Sequence, residues 1–393
     1  MDKTVIVSWT VPPALTGSAV IVENLARQFS NSELVLAGEK PSLVTILRWG
    51  PDKPEIKYIA SPLPRGLRGE KAWRRLQVPL MLARTVRLVR REACRNVIGV
   101  FPDETYLFVA YLTARLCRTR FYAYFHNTYL ENRRGALRRF AAWLQPRVFR
   151  SAKHVFVMSD GMRDLYERRY RGLACSALPH SFNEPLLETP PAPTSNKRWV
   201  VAFAGNLNES CADAGRRLFR AVQSLANIDL RIFSGLKALH FLQQGISVKP
   251  DQVRAVPRQE IVGELRKCDA LLLPHGFDGK MAPEEYETIF PTKTIEYLIS
   301  GRPILAHSPP GVFLTRFLKQ HDCALVVEES SETALVDAIR RLQADAELRV
   351  RLVKNALRTA RMFQAPVVAK HLREVLAQGE TLDQRPKTID HRP

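Results

Sequence analysis

The sequence predicts an α/β protein of two doubly wound, parallel-sheet, Rossmann-like domains. Three observations carry this. Short β-rich runs alternate with amphipathic helical runs along most of the chain, the order that βα units of parallel sheets produce. The 393 residues exceed one ordinary hydrophobic core. The series is interrupted once, at Glu184–Lys197, where Pro185, Pro190, Pro191 and Pro193 stand among few apolar residues; that composition is a linker's.

In the first half, strands are expected near Thr4–Ser8, Glu33–Leu36, Ile56–Ile59, Val97–Phe101, Phe121–Phe125 and His154–Met158. Their β-branched and aromatic content favours a pleated, buried surface. Helical periodicity fills Ser18–Phe29, Trp73–Arg95, Tyr106–Cys117, Ala136–Arg150 and Gly161–Tyr170. The second series has strands at Trp199–Ala204, Asp229–Phe233, Val253–Val256, Ala270–Leu273, Pro303–Ala306 and Ala324–Val327. Its helices cover Arg216–Leu225, Gln259–Lys267, Thr292–Ser300, Ser331–Leu342 and Ala346–Met362. The expected organisation is therefore a first domain over 1–185, a linker over 186–197 and a second domain over 198–362. A last helix follows over 363–378, and the polar tail 379–393 reads as disordered. Two such sheets place a ligand cleft between the domains, at the carboxyl ends of strands.

Composition excludes several classes. No stretch approaches the roughly 18–20 apolar residues of a membrane span. The Val5-Ile6-Val7 run soon meets Pro12-Pro13 and reads as a first strand, not a secretory signal. Cys94, Cys117, Cys175, Cys211, Cys268 and Cys323 include no close pair, which argues against a zinc site or a disulfide framework and suits a reducing cytoplasm. The net charge of +20 is uneven: residues 1–190 hold 30 Lys and Arg against 16 Asp and Glu. Between Arg65 and Arg95 lie ten basic residues and two acids. There Leu82, Val86 and Val89 share one helical face, opposite Arg84, Arg87 and Arg91. Such a stripe suits an anionic membrane surface or an anionic substrate, and equally a packed helix with a solvated basic face. No nucleic-acid-binding motif is visible.

The segment Phe290–Ala306 is the most informative. Pro291 and Thr292 open a helix, Lys293 stands in its first turn, and Glu296 follows at i+3 on the same face. Gly301 stops the helix before a buried Pro-Ile-Leu-Ala strand. A helix N-terminus favours an anion, Lys293 adds a full charge, and together they suit a diphosphate with a ribose beside it. The alternative is a surface i,i+3 ion pair.

Other candidates stand at strand ends. Gly17 permits close backbone approach after the first strand, and Ser18 can cap the helix that follows. His126 follows the strand Phe121–Phe125 and opens a polar loop with Glu131 and Arg133; its imidazole suits bonding a hydroxyl or moving a proton, or a structural role. Asp103 and Glu104 follow another strand, and His180 stands before the linker. Gly205 and Asn206 offer backbone groups toward a phosphate, with Arg216 reaching it from the following helix, and an ordinary tight turn explains the same residues equally well. The segment Pro274–Phe290 reads as a long loop of the substrate or lid kind.

With Pro-Pro-x3-Gly-Ser-Ala, His126, Leu-Pro-His-Ser-Phe, Gly-Asn-Leu and Phe-Pro-Thr-Lys-Thr-Ile-Glu-Tyr-Leu-x-Ser-Gly-Arg-Pro-Ile-Leu, the chain resembles family 4 of the GT-B retaining glycosyltransferases. The resemblance implies that the second domain binds a UDP- or GDP-sugar, with Lys293 on the diphosphate and Glu296 on the ribose. It implies an acceptor, a sugar or lipid-linked, on the first domain, Gly17 near the reaction centre and His126 near the donor sugar. It also implies a C-terminal helix crossing back to the first domain. No metal or other cofactor is implied. One departure stands out: eight residues before Glu296, where the family often has a sugar-contacting glutamate, stands Thr288. The expectation is a cytoplasmic glycosyltransferase of cell-envelope polysaccharide or glycolipid synthesis, associated peripherally with the membrane through 65–95. A GT-B nucleotide-sugar epimerase is the alternative enzyme. A non-catalytic membrane- or nucleic-acid-binding protein is the alternative of another class.

Overall fold

A computed structural model describes residues 2–14, 16–41, 52–64 and 68–384. The chain divides into two compact units, one formed by Met1–Ser181 with Ala365–Pro393, the other by Phe182–Gln364.

The first unit runs β1 (Thr4–Val7), α1 (Gly17–Ala26), β2 (Leu34–Glu39), β3 (Glu55–Ala60), α2 (Glu70–Leu76), α3 (Val78–Arg91), β4 (Asn96–Phe101), α4 (Glu104–Cys117), β5 (Arg120–Phe125), α5 (Gly135–Ser151), β6 (His154–Val157), α6 (Asp160–Arg169) and β7 (Cys175–Ala177). The strands are parallel in the order β3-β2-β1-β4-β5-β6-β7. β1 pairs with β2 on one side and β4 on the other, so the winding reverses between β1 and β4. Ligands of open α/β sheets settle beyond the carboxyl ends of such strands.

Periodicity predicts one helix over Trp73–Arg95, yet the chain forms two. Pro79 interrupts it: with no N–H it cannot bond the Arg75 carbonyl, and it opens α3 in the first turn instead. Beside the break, the Gln77 side-chain amide accepts the Ser61 N–H and donates to the Ser61 carbonyl, both at 3.0 Å. The buried face of α3 is Met81, Thr85, Leu88 and Val89, one position off the predicted Leu82–Val86 stripe. Residues 65–67 of the basic stretch lie outside the described residues.

The second unit runs β8 (Trp199–Ala204), α7 (Ala212–Gln223), β9 (Ile228–Phe233), α8 (Ala238–Gln243), β10 (Val253–Arg254), α9 (Ile261–Arg266), β11 (Ala270–Pro274), α10 (Pro283–Thr288), α11 (Lys293–Ser300), β12 (Ile304–His307), α12 (Phe313–Gln320), β13 (Leu325–Val327), α13 (Glu332–Ala344) and α14 (Ala346–Ala360). Its parallel order is β10-β9-β8-β11-β12-β13, reversing between β8 and β11. The segment Pro274–Phe290 is less a loop than predicted, because α10 forms within it. Pro283 opens α10, and Glu284 and Glu285 complement its N-terminal dipole. The first unit ends at Ser181 rather than at 185. The proline-rich segment that composition assigns to a linker belongs to the second unit: Leu186 packs against its core, and Leu187 and Pro191 lie against Gly301.

The last helix, α15 (Ala365–Gln384), belongs to the first unit. It is longer than the 363–378 expectation, and the disorder predicted from 379 does not hold through Gln384. Residues 385–393 lie outside the described residues. Val368, Ala369, Leu372, Val375 and Leu376 are buried in one cluster with Ile21, Val22 and Leu25 of α1, the i, i+1, i+4, i+7, i+8 spacing of a core-facing stripe. Arg373 crosses the Phe29 ring at 4.2 Å and bonds Glu33 at 3.2 Å.

Candidate active site

In the second unit the site grows from the turn after β8. Gly205 adopts φ +92°, open to glycine at little cost, and its N–H reaches the Phe233 carbonyl at 2.8 Å. A Cβ there would lie 3.7 Å from Lys293 Cε and Nζ, so the Lys293 side chain runs alongside the glycine. Its ammonium sits 4.0 Å from the centroid of the Phe203 ring. The nitrogen is buried with no hydrogen-bond partner, and burial pulls its pKa down. An attraction to the ring of about 0.5–2 kcal/mol offsets part of that desolvation.

Helix α11 is fixed by a bond between distant segments: Tyr297, one turn beyond Lys293, accepts the Ala204 N–H at 2.8 Å. Gly301 ends it at φ +76°, where a Cβ would strike Pro191. Thr292 stands at the N-cap without a side-chain cap bond. Two first-turn amides, of Thr294 and Ile295, already reach the Pro291 and Thr292 carbonyls. The amide cradle is thus thinner than the sequence predicts, and Lys293 is the dominant charge. Lys293 and Glu296 form no ion pair. Burial raises the Glu296 pKa, opposed chiefly by the Arg258 charge.

The remaining predicted donor contacts separate. Asn206 accepts the Ser234 hydroxyl at 2.7 Å, bracing the turns after β8 and β9. Arg216 lies with its stem beside Gly245. Its neighbour Arg217, absent from the sequence reading, is the tied residue. It bonds Asp213 at 2.7 Å and His307 Nε2 at 3.0 Å, while Asp213 accepts the Phe277 N–H at 3.1 Å. His307 Nδ1–H donates to the Val327 carbonyl at 3.1 Å. This chain holds the His275–Gly279 turn after β11 against the loop after β8, at the point where the sheet order reverses. The i,i+4 spacing of Asp213 and Arg217 was the available signal. Thr288 is buried, its hydroxyl donating to the Glu284 carbonyl at 2.7 Å, a role inside α10.

In the first unit, Thr16 rather than Ser18 caps α1, accepting the Ala19 N–H at 3.2 Å. A Cβ on Gly17 would meet nothing within 4 Å, so the start of α1 faces open space. Ser18 Oγ instead lies 3.0 Å from His126 Nδ1. His126 is buried, edge-on to Tyr124 at 4.4 Å, and its Nε2 has no partner. Burial first, and the neighbouring His180 second, push its pKa down to about 3. Burial thus favours the neutral ring. The loop acids and bases are absorbed elsewhere. Arg169 pairs with Glu131, and Arg133 bonds Glu104 at 3.0 Å. Arg74, out of the basic stretch, is buried between Glu39 at 2.9 Å and Asp103 at 3.3 Å, over the Trp9 ring at 4.2 Å.

Residues 16–173 match the family model described as a glycosyl transferase 4-like domain. No curated protein matches the chain by sequence. Sucrose-phosphate synthase from Thermosynechococcus elongatus is similar in structure over 97% of this chain and 100% of its own, at 14% identity and a TM-score of 0.71. HepE from Anabaena, solved in complex with UDP-glucose, is similar over 96% and 100%, at 15% identity and a TM-score of 0.70. The lipopolysaccharide outer core galactosyltransferase WaaB is similar over 96% and 99%, at 14% identity and a TM-score of 0.62. At these identities the likenesses show the fold, which is GT-B. Together with the family-model match over residues 16–173, they support an enzyme of the glycosyltransferase type on a GT-B fold. The non-catalytic reading is set aside.

Proposed function

We propose that the enzyme transfers a hexose-type sugar from a nucleoside diphosphate sugar, UDP- or GDP-linked, to a hydroxyl of a sugar or lipid-linked acceptor. The observation that carries this is the Lys293 ammonium, buried and unpartnered beside Gly205 at the start of α11. An isolated buried charge is costly, and a diphosphate would complete it. In this reading Lys293 and the α11 dipole hold the departing diphosphate, and the step calls on no metal. Pro291, Thr292, Gly205 and Asn206 frame that end of the donor, with Arg216 more distant. Glu296 takes the ribose. For Gly17 and His126, in the first unit, the same reading proposes a sugar-binding role. UDP-glucose, the ligand of HepE, is the first donor to test, beside GDP-sugars.

The same reading extends to cell-envelope polysaccharide or glycolipid synthesis at the inner face of the membrane. No helix of the described residues is long and apolar enough to cross a membrane. Leu76 and Leu80 are exposed, at 75% and 47%, beside exposed Lys71, Arg75 and Arg87, a mixture suited to an anionic lipid surface.

A thermal-shift panel of nucleotides and nucleotide sugars tests the donor; turnover with and without acceptor tests the reaction. A stabilising nucleotide sugar consumed only with acceptor is the expected result. No shift with any nucleotide, or donor interconversion without acceptor, would overturn it.

A further inference from the structure

We infer that Ser18 is a positioning residue that holds His126 with its proton on Nε2, so that His126 serves as a hydrogen-bond donor to a sugar oxygen and not as a proton acceptor. The ligand rests on the sugar-transfer reading above; the geometry does not.

Three observations carry it. Ser18 lies in the first turn of α1, which starts at Gly17. A serine further along a helix can send its hydroxyl proton to the carbonyl one turn back; Ser18 has no helical turn behind it. Its partner is His126 Nδ1, at 3.0 Å. Were Nδ1 protonated, the ring would donate to Ser18, and the hydroxyl proton, with no acceptor among the described residues, would be left to solvent. With the hydroxyl donating, both groups are used. Second, Nδ1 faces the positive end of α1, where a lone pair is favoured over an N–H. Third, Nε2 is buried and unpartnered in a ring otherwise fixed by Tyr124. An unpaired buried nitrogen is costly in either tautomer; with Nδ1 taken by the Ser18 hydroxyl, the proton on Nε2 is left for an oxygen of the ligand. The imidazole stays neutral because burial and His180 disfavour its charged form.

Nitrogen-15 NMR of the substrate-free enzyme reads the tautomer directly, with the His126 signals identified by their loss in His126→Gln. The expected result is a protonated Nε2 and an acceptor Nδ1. Ser18→Ala should move the tautomer ratio toward Nδ1–H by about fivefold, the worth of one ordinary hydrogen bond, and Ser18→Thr, which keeps the hydroxyl, should restore it. A wild-type ring protonated at Nδ1 overturns the inference even if Ser18→Ala does not fold; an unchanged ratio in folded Ser18→Ala overturns it too. In turnover, kcat/KM should carry no ionisation of His126 between about pH 5 and 8, and an inflection there that disappears in His126→Gln would mark a base and sink the proposal. If no nucleotide sugar is turned over at all, the functional reading fails while the tautomer measurement still decides this one.

Discussion

The Lys293 ammonium lies 4.0 Å from the centre of the Phe203 ring, across 90 residues of sequence, with no carboxylate paired to it. The free enzyme thus holds a buried cation that its own chain does not neutralise, although Glu296 stands three residues away. This arrangement leaves the fold with an unpaired buried charge, a cost that a bound anion would relieve.

Lys293→Met should separate the two effects. Losing a charge-assisted contact to phosphate should weaken nucleoside diphosphate binding on the order of 10- to 100-fold by calorimetry. The free variant should melt at the same temperature as the parent or higher, because methionine fills the stem's space without a desolvated charge. An equal loss of stability and affinity would mean that the lysine is structural.

Glu296 predicts a discrimination rather than a simple loss. If its carboxylate accepts from ribose hydroxyls, wild-type enzyme should bind a ribonucleoside diphosphate more tightly than the analogue lacking those hydroxyls, by about 1.5–3 kcal/mol. In Glu296→Ala that preference should vanish, both ligands binding with the weaker affinity. A preference surviving the substitution would place the ribose elsewhere. Because burial raises the Glu296 pKa, wild-type preference should fall as the pH drops and the carboxylate is protonated.

The fate of these residues shows what a sequence can and cannot disclose. The start, stop and amphipathic face of α11 depend on neighbours within one turn, so Pro291, Thr292 and Gly301 made it legible. Where the Lys293 side chain goes depends on Phe203 and Gly205, and no local pattern encodes that. The same holds for Ser18, which reads as a cap but meets His126 108 residues on, while Thr16 takes the cap. The break between α2 and α3 escapes periodicity, which ignores the missing N–H of Pro79; the Gln77–Ser61 bonds beside it come from another segment and have no local signal. The basic stretch reads as one exposed stripe, yet Arg74 turns inward to Glu39 and Asp103.

That inward arginine gives a stability prediction. Burial raises the pKa of both Glu39 and Asp103, and the Arg74 charge opposes it. Arg74→Met would leave two buried carboxylates without their cation, a loss of about 3–5 kcal/mol in urea unfolding at neutral pH. In the variant their folded-state pKa values rise further above the unfolded ones. Groups shifted that way favour the folded state at low pH and lose that contribution as pH rises. The deficit against wild type should therefore be largest near pH 7.5 and narrower near pH 5. A deficit independent of pH would show that packing over Trp9, and not charge, holds Arg74.

Acid stability of the whole chain should follow its buried histidines. Burial holds His126 down to about 3, and His154, His275 and His307 down to about 4, against roughly 6.5 in an unfolded chain. Between those values the unfolded state binds more protons than the folded state, so stability rises with pH and is lost on acidification from about 6.5 to 4. His307 shows why the folded state refuses the proton. Its Nδ1–H is committed to the Val327 carbonyl, and its Nε2 accepts from Arg217 at 3.0 Å; a second proton would have to face the guanidinium. In His307→Gln the amide oxygen can still accept from Arg217 but does not titrate. Unfolding free energy measured by urea from pH 4.5 to 7.5 should then climb less steeply than in wild type, by up to about 1.4 kcal/mol per pH unit for one proton. An unchanged slope in His307→Gln would mean that His307 takes up its proton in the folded state, and with it that the Arg217–His307 bond does not hold the β11 turn in place.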